Sequence, residues 1–463
     1  MRAVLRHVKL PEFGSPTEQP LIPASLYRER LAAFTDRFRI AGYNAVLVYA
    51  DREHSANLSY LTGFDPRFEE ALLILSAGRD PVMLTGPENR GLAASAAIPM
   101  DVTLYPPLGL PGQDRSKTPP LSEILAAHGI ARGMTVGMTG WKYFGAAEAA
   151  EPATWLEVPS YLADAVRLLT GPTGRVVNAN ALLMHPSSGL RAINEIDQLA
   201  AFEFASCHTS DAVRRVVVGA RPGMREFDAA RLLEPIGLPL SCHQMVSSGA
   251  RAAFGLCSPS SKRIEAGDPI TIGYGVWGAL NCRAGWMVAE AGELPEGVRD
   301  YIQRLAAPYF ATVAQWYQTI GIGVPGGVLY DIVQRRLGDP FFGVFLNPGH
   351  LIHQDEWMNT PIYARSTEHL VSGQALQADI IPATGSAYFT SNVEDGIALL
   401  DEHGRSAFAE RYPAAWDRIN HRRAFMASAL GIELKPEVLP FSNMPAYLTP
   451  FFQSPEQALV IAA

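Results

Sequence analysis

Gly267-Asp-Pro-Ile-Thr-Ile-Gly-Tyr-Gly-Val-Trp-Gly-Ala-Leu-Asn-Cys-Arg-Ala-Gly285 is the stretch on which the fold turns. It has the cadence of a two-strand hairpin. Small residues, Gly273, Gly275, Gly278 and Ala284, line what reads as one uncharged wall. Cys282 lies inside the hairpin and Cys257 just before it, so both a thiol nucleophile and a buried structural cysteine are open readings.

Around the hairpin lies a chain of 463 residues, comfortable for two domains. Apolar residues make up 48% and charged residues 18%, which supports large cores and excludes a disordered chain. A net charge of −8 with scattered Lys and Arg argues against nucleic acid as the partner. Residues 1–23 lack the basic segment and apolar core of a secretory signal. No run of about 20 apolar residues predicts a membrane span. Four cysteines (Cys207, Cys242, Cys257, Cys282) without CxxC spacing predict reduced thiols in a cytoplasmic protein.

Upstream of the hairpin, residues 24–40 carry Leu26, Leu31, Phe34 and Phe38 at helical spacing. Asn44 to Tyr49 reads as a buried strand, and Ala71–Leu75 with Pro81–Leu84 as paired strands about Gly78-Arg79-Asp80. Leu121–His128 predicts a helix and Thr135–Met138 a strand, an alternation that predicts an α/β domain. Then the texture changes. Asn194–Val217 predicts a long amphipathic helix with Ile196, Leu199, Phe202 and Ala205 on its apolar side, and further helices are expected at 297–320 and from 328. The tail, Tyr412 to Ala463, predicts a surface helix and then an extended strap. The expected division is an arm at 1–23, an α/β domain at 24–188, a catalytic domain at 189–411 and an extension at 412–463.

Four motifs carry a resemblance. They are Asn57-Leu-Ser-Tyr-Leu-Thr-Gly-Phe, the Gly-Asp hairpin, Asn347-Pro-Gly-His-Leu-Ile-His-Gln-Asp-Glu-Trp and Asn392-Val-Glu-Asp-Gly. Over residues 24–410 the chain resembles the creatinase, prolidase and aminopeptidase P superfamily. The resemblance implies an α/β N-terminal domain plus an α+β pita-bread C-terminal domain. The family's dinuclear site needs Asp, Asp, His, Glu and Glu. By the family pattern Gly273 stands at the first aspartate, and Leu280 to Ala284 surround the second place without a carboxylate. His350 matches the metal-binding histidine, with His353 as the competing assignment; Asp379 and Glu394 match the two glutamates. Leu256 stands where creatinase carries its essential histidine, and His243 is near in sequence but off that position. The triplet Asp355-Glu356-Trp357 resembles the dimethylsulfoniopropionate lyases of the same superfamily.

The implied function is hydrolysis of a C–N bond in a small polar metabolite by acid–base chemistry, with no metal and no cofactor. Catalysis is expected from His350, His353, Asp379 and Glu394, and substrate contacts from Arg67, Phe64, Cys257, Glu356 and Trp357. Arg67 is the expected anion clamp, because a guanidinium grips a carboxylate bidentately. The resemblance also implies a homodimer whose N-terminal domain reaches the partner's site. Open beside this are a single-metal Xaa-Pro-type peptidase or lyase, and a non-catalytic binding protein.

Overall fold

Residues 1–462 are described by the computed structural model, and in it strand β1 (Ala3–His7) is separated in sequence from the unit it belongs to. One unit comprises Ile22–Ala192; the other combines Met1–Leu21 with the chain from Ile193 onward.

The Ile22–Ala192 unit is built on a six-stranded sheet. Its strands are β2 (Ala45–Ala50), β3 (Ala71–Ser76), β4 (Val82–Thr85), β5 (Asp101–Leu104), β6 (Thr135–Thr139) and β7 (Arg175–Asn178), in the order β5-β4-β3-β2-β6-β7. Strands β2, β6 and β7 run parallel, while β3 is antiparallel to both its neighbours. Strand β2, Ala-Val-Leu-Val-Tyr-Ala, is buried at every position, as a strand covered on both faces must be. Helices Leu121–Ala127 and Ser160–Thr170 set Leu125, Leu162 and Val166 against Leu47 and Leu72 of the sheet. The helix Ala24–Ile40 buries Leu26, Phe34 and Phe38 as its spacing predicts.

In the other unit, β8 (Met245–Ser248), β9 (Pro269–Val276), β10 (Ala279–Trp286), β11 (His350–Leu351), β12 (Ala375–Asp379) and β13 (Asn392–Leu399) form an antiparallel sheet in the order β11-β12-β13-β10-β9-β8. The quoted stretch is the β9–β10 hairpin. Its turn at Trp277-Gly278 sets Val276 opposite Ala279 and therefore Gly273 opposite Cys282. Gly278 belongs to this turn rather than to the wall of a site. Its φ is +89°, and a β-carbon there would lie 2.1 Å from the Phe202 ring, so no other residue fits. The helix Ile196–Gly219, which carries Phe202, supports the sheet, and Thr209 on it donates to the Asn281 side chain at 2.5 Å.

Neither chain end is an appendage. Strand β14 (Val438–Pro440) extends the sheet alongside β13, and β15 (Gln457–Ile461) pairs antiparallel with β1. The tail helix Pro413–Phe425 carries Arg418 and Arg422, whose guanidiniums meet the buried Glu203 carboxylate at 2.6 and 2.8 Å. The N-terminal strand and the tail thus pack within the unit that resumes at Ile193. The physical reason is the strand pairing and the buried charge, neither of which is visible as local composition. Among the described residues no helix is long and apolar enough to cross a membrane.

Candidate active site

Antiparallel pairing places directly opposed side chains on the same face of a sheet. One row therefore crosses five strands: Met245 of β8, Gly273 of β9, Cys282 of β10, Glu394 of β13 and Asp379 of β12. At the far edge β11 sets His350 opposite Gln377, two residues from Asp379 and on the same face. The short strand β11 exists because Gly349, at φ +128°, turns the chain where a β-carbon would meet the Gln377 carbonyl at 2.8 Å.

His350 Nε2 lies 3.5 Å from Glu356 Oε1, 3.7 Å from Glu394 Oε1 and 3.9 Å from Asp379 Oδ2. Its other nitrogen, Nδ1, is 3.2 Å from the Leu351 carbonyl oxygen. A carbonyl only accepts, so Nδ1 carries a proton and the ring is held with Nε2 toward the carboxyl groups. Asp379 Oδ1 and Glu394 Oε1 are buried without a hydrogen-bond partner. Burial, then the Glu394 charge, pushes the Asp379 carboxyl up to about 8, with His350 opposing. Glu394 and Glu356 are raised as well, chiefly by burial; the Cys282 thiol lowers Glu394 by donating to it, and His350 lowers Glu356. Three acids and one imidazole thus share a small volume with fewer protons or counter-charges than they call for.

The other end of the row is built from sulfur and small side chains. A β-carbon on Gly273 would lie 2.5 Å from Met245 Cε and 3.0 Å from Cys282 Sγ, so Met245 fills the space a side chain at 273 would take. Cys242 and Ser241 pack over Gly275 in the same way. Ala284 is buried opposite Thr271. Where the resemblance puts the first metal-binding aspartate, Gly273 stands under Met245, and Leu280 to Ala284 around the second place carry no carboxylate. A single cation fits. His350, Asp379 and Glu394 each offer a ligand atom, all within 4.8 Å of one another. Separations of 3.7 Å to Glu394 and 3.9 Å to Asp379 from Nε2 are too long for good hydrogen bonds. They suit ligands arranged around one ion at bonds of about 2.0–2.2 Å.

The structure sorts the expected site residues. His350, Glu356, Asp379 and Glu394 come together. His353 turns away: it is fully buried and sets its ring edge against Phe202 at 5.2 Å. Trp357, beside Glu356, is 54% exposed, and Cys257 is half-buried in the segment after Gly255. In the N-terminal unit Arg67 donates from Nε to the Arg52 carbonyl at 3.1 Å. Phe64 is wholly buried within that unit, a core position rather than a surface that meets a substrate. The exposed aromatic of that loop is Phe68, at 67%. Sequence reasoning passed over Met245 and Cys242. A signal existed for Met245, since counting outward from the hairpin turn fixes which face Gly273 presents, but its neighbour on β8 comes from a separate segment. A groove of about 1090 Å³ runs between β1, Glu290 and Arg336, away from these residues and without a buried unpaired polar atom.

Residues 30–154 match the family model of the creatinase/prolidase N-terminal domain. The unit that resumes at Ile193 lies outside that match. The fold is that of the creatinase and prolidase superfamily. Prolidase from Thermococcus sibiricus superposes with a TM-score of 0.64 at 18% identity, over 81% of this chain and 95% of that one. For the Xaa-Pro dipeptidase from Bacillus anthracis the TM-score is 0.60 at 15% identity, over 82% and 96%. The X-Pro aminopeptidase from Thermotoga maritima gives 0.58 at 16%, over 80% and 95%. In sequence, the uncharacterized peptidase YqhT of Bacillus subtilis is 23% identical over 227 residues, 47% of this chain and 62% of that protein, so the match spans less than two thirds of the relative. This creatinase-like chain keeps the fold and remakes one side of the site.

Proposed function

We propose that the chain is a hydrolase of C–N bonds in small polar substrates, working from a single-cation centre rather than a dinuclear one. The observation that carries the reading is the His350 geometry. Nδ1 is held by the Leu351 carbonyl, which sets Nε2 among three buried carboxyl groups, two of which keep an oxygen without a partner. Buried carboxylates crowded together repel one another unless a cation or protons lie between them. The structural relatives, a dipeptidase, a prolidase and an X-Pro aminopeptidase, make an amide C–N bond the first to test.

His350, Asp379 and Glu394 would hold the ion. When bound, such an ion polarises the scissile carbonyl and acidifies a water. Glu356 lies outside that ligand group, and its raised pKa suits a group that takes a proton from water and returns it to the leaving nitrogen near neutral pH. The sulfur-lined wall excludes a second ion and leaves an apolar surface for the substrate.

The raised carboxyl groups favour a second reading, in which protons replace the cation and the centre is purely acid–base. Metal analysis of active protein, with hydrolysis of Xaa-Pro dipeptides and N-substituted guanidino acids before and after chelation, separates the two. The single-cation reading expects one equivalent of metal, loss of turnover on chelation and recovery on adding metal back. Turnover that persists in metal-free protein supports the acid–base reading. Two tightly held equivalents, or no hydrolysis of either substrate class, overturns the proposal.

A further inference from the structure

The β1–β15 ribbon has one covered edge and one open edge. Ala462 donates to the Arg2 carbonyl at 2.9 Å and Val8 to the Glu456 carbonyl at 2.8 Å, so the even-numbered residues of β1 bond to β15. Ala3 and Leu5 stand at the intervening positions and turn both N–H and C=O away from β15. On β15 the matching outward amide, that of Leu459, donates to the Leu448 carbonyl at 3.0 Å. On β1 no backbone hydrogen bond reaches Ala3 or Leu5 from the outer side, and among the described residues no further strand pairs with β1.

The open edge borders the groove of about 1090 Å³. Five consecutive residues, Met1 to Leu5, line it, whereas β15 contributes Gln457 alone. Side chains alternate between the two faces of a strand, so a groove that follows five in succession follows the edge. Ile302, Pro308 and Ala311 add apolar lining. The charges are divided between its ends. Arg336 donates to the Met1 carbonyl at 3.4 Å, which puts its guanidinium, with Arg2, at the start of β1. Glu290 and Glu293 line the groove from the segment that Gln453 ties down by donating to the Val288 carbonyl, just before β15 begins opposite His7. The acidic wall therefore lies toward the end of β1.

We propose that this groove takes a short extended peptide of another protein, added antiparallel to β1 as a third strand of the ribbon, with a basic residue at its amino end and a free carboxylate at its carboxyl end. Antiparallel addition sets the peptide's amino end beside the end of β1, where Glu290 and Glu293 lie, and its carboxyl end beside the start of β1, at Arg2 and Arg336. Main-chain bonds to Ala3 and Leu5 supply the affinity, and the charged ends fix the direction. Peptide binding here is independent of the hydrolytic centre, because the groove contains none of its residues.

The test is calorimetry of the full chain with the pentapeptide Lys-Val-Ala-Val-Ala, free at both ends. The expected result is one equivalent bound. N-methylation of one alternate set of peptide amides should abolish binding, and methylation of the other set should leave it within about 2-fold, because only every second residue faces β1. Leu5→Pro removes an edge donor that makes no bond to β15 and should abolish binding, whereas Leu5→Ala keeps the donor and should bind. Amidation of the peptide's carboxyl end, or Arg336→Gln, should weaken binding about 3-fold at low salt, the scale of an exposed ion pair. Absence of binding, binding that survives Leu5→Pro, or equal effects of the two methylated sets overturns the proposal. Sedimentation showing a dimer of the full chain that Leu5→Pro dissociates also overturns it, and gives the edge to a second copy.

Discussion

Glu394 and Asp395 are adjacent in β13 and equally buried, at 3% and 1% exposure, yet they face opposite sides of the sheet and meet opposite conditions. Asp395 receives Arg283 on both oxygens at 2.9 Å, the Asn281 amide at 2.8 Å and the Ala446 amide at 2.9 Å. Glu394 keeps an oxygen without a partner and has the His350 imidazole 3.7 Å away. The same pleat separates Arg283 from Cys282 on β10. One face is a closed account of donors and acceptors, the signature of a group that holds the fold. The other is left open, the signature of a group that awaits something.

A set of substitutions and one pH series would break or sharpen that contrast. The largest effect is expected on the open face: His350→Ala or Glu356→Gln should lower kcat by about 10²–10⁴-fold with little loss of stability, read from kinetics beside thermal unfolding. On the closed face Asp395→Ala should cost about 3–5 kcal/mol, because it strands Arg283 without a counter-charge; denaturant unfolding checks it. Gly273→Asp should destabilise by about 1–3 kcal/mol through collision with Met245 rather than rebuild a metal site. Combining it with Met245→Ala should recover most of that loss.

Metal-free protein should also lose stability as pH rises. Asp379 titrates near 8 when folded and in the ordinary carboxyl range when unfolded, so between about pH 4 and 8 the folded state holds the extra proton. Stability therefore falls across that window and levels above it, and Asp379→Asn should flatten the slope of Tm against pH. The smallest effect is expected at Cys257, where Ser should change stability by less than about 0.5 kcal/mol and leave turnover unchanged.

Much of this was legible along the chain because it is local. The hairpin carries its own register, so Gly273 and Cys282 were fixed once the turn was known. Asn392-Val-Glu-Asp-Gly is a strand whose alternation puts Glu394 and Asp395 on different faces. What could not be read were meetings between distant segments. His350 and His353 are separable only by β11 pairing with β12, which turns one ring to the carboxylates and the other to Phe202. Met245 lies 28 positions before Gly273, and nothing local announces that its side chain occupies the glycine's space. The tail looked like an extension because Arg422 and its partner Glu203 are 219 positions apart.

The β1–β15 ribbon sets an order of events. During synthesis β1 is made before all of the Ile22–Ala192 unit and before every other strand of the catalytic sheet, whereas β15 is made after them. The ribbon closes across more than 440 residues, so its pairing cannot help either unit begin to fold. It can only seal the catalytic unit once the remainder is in place. Until then β1 is an unpaired strand edge, and a nascent chain stalled before residue 457 should be the form most prone to join its neighbours.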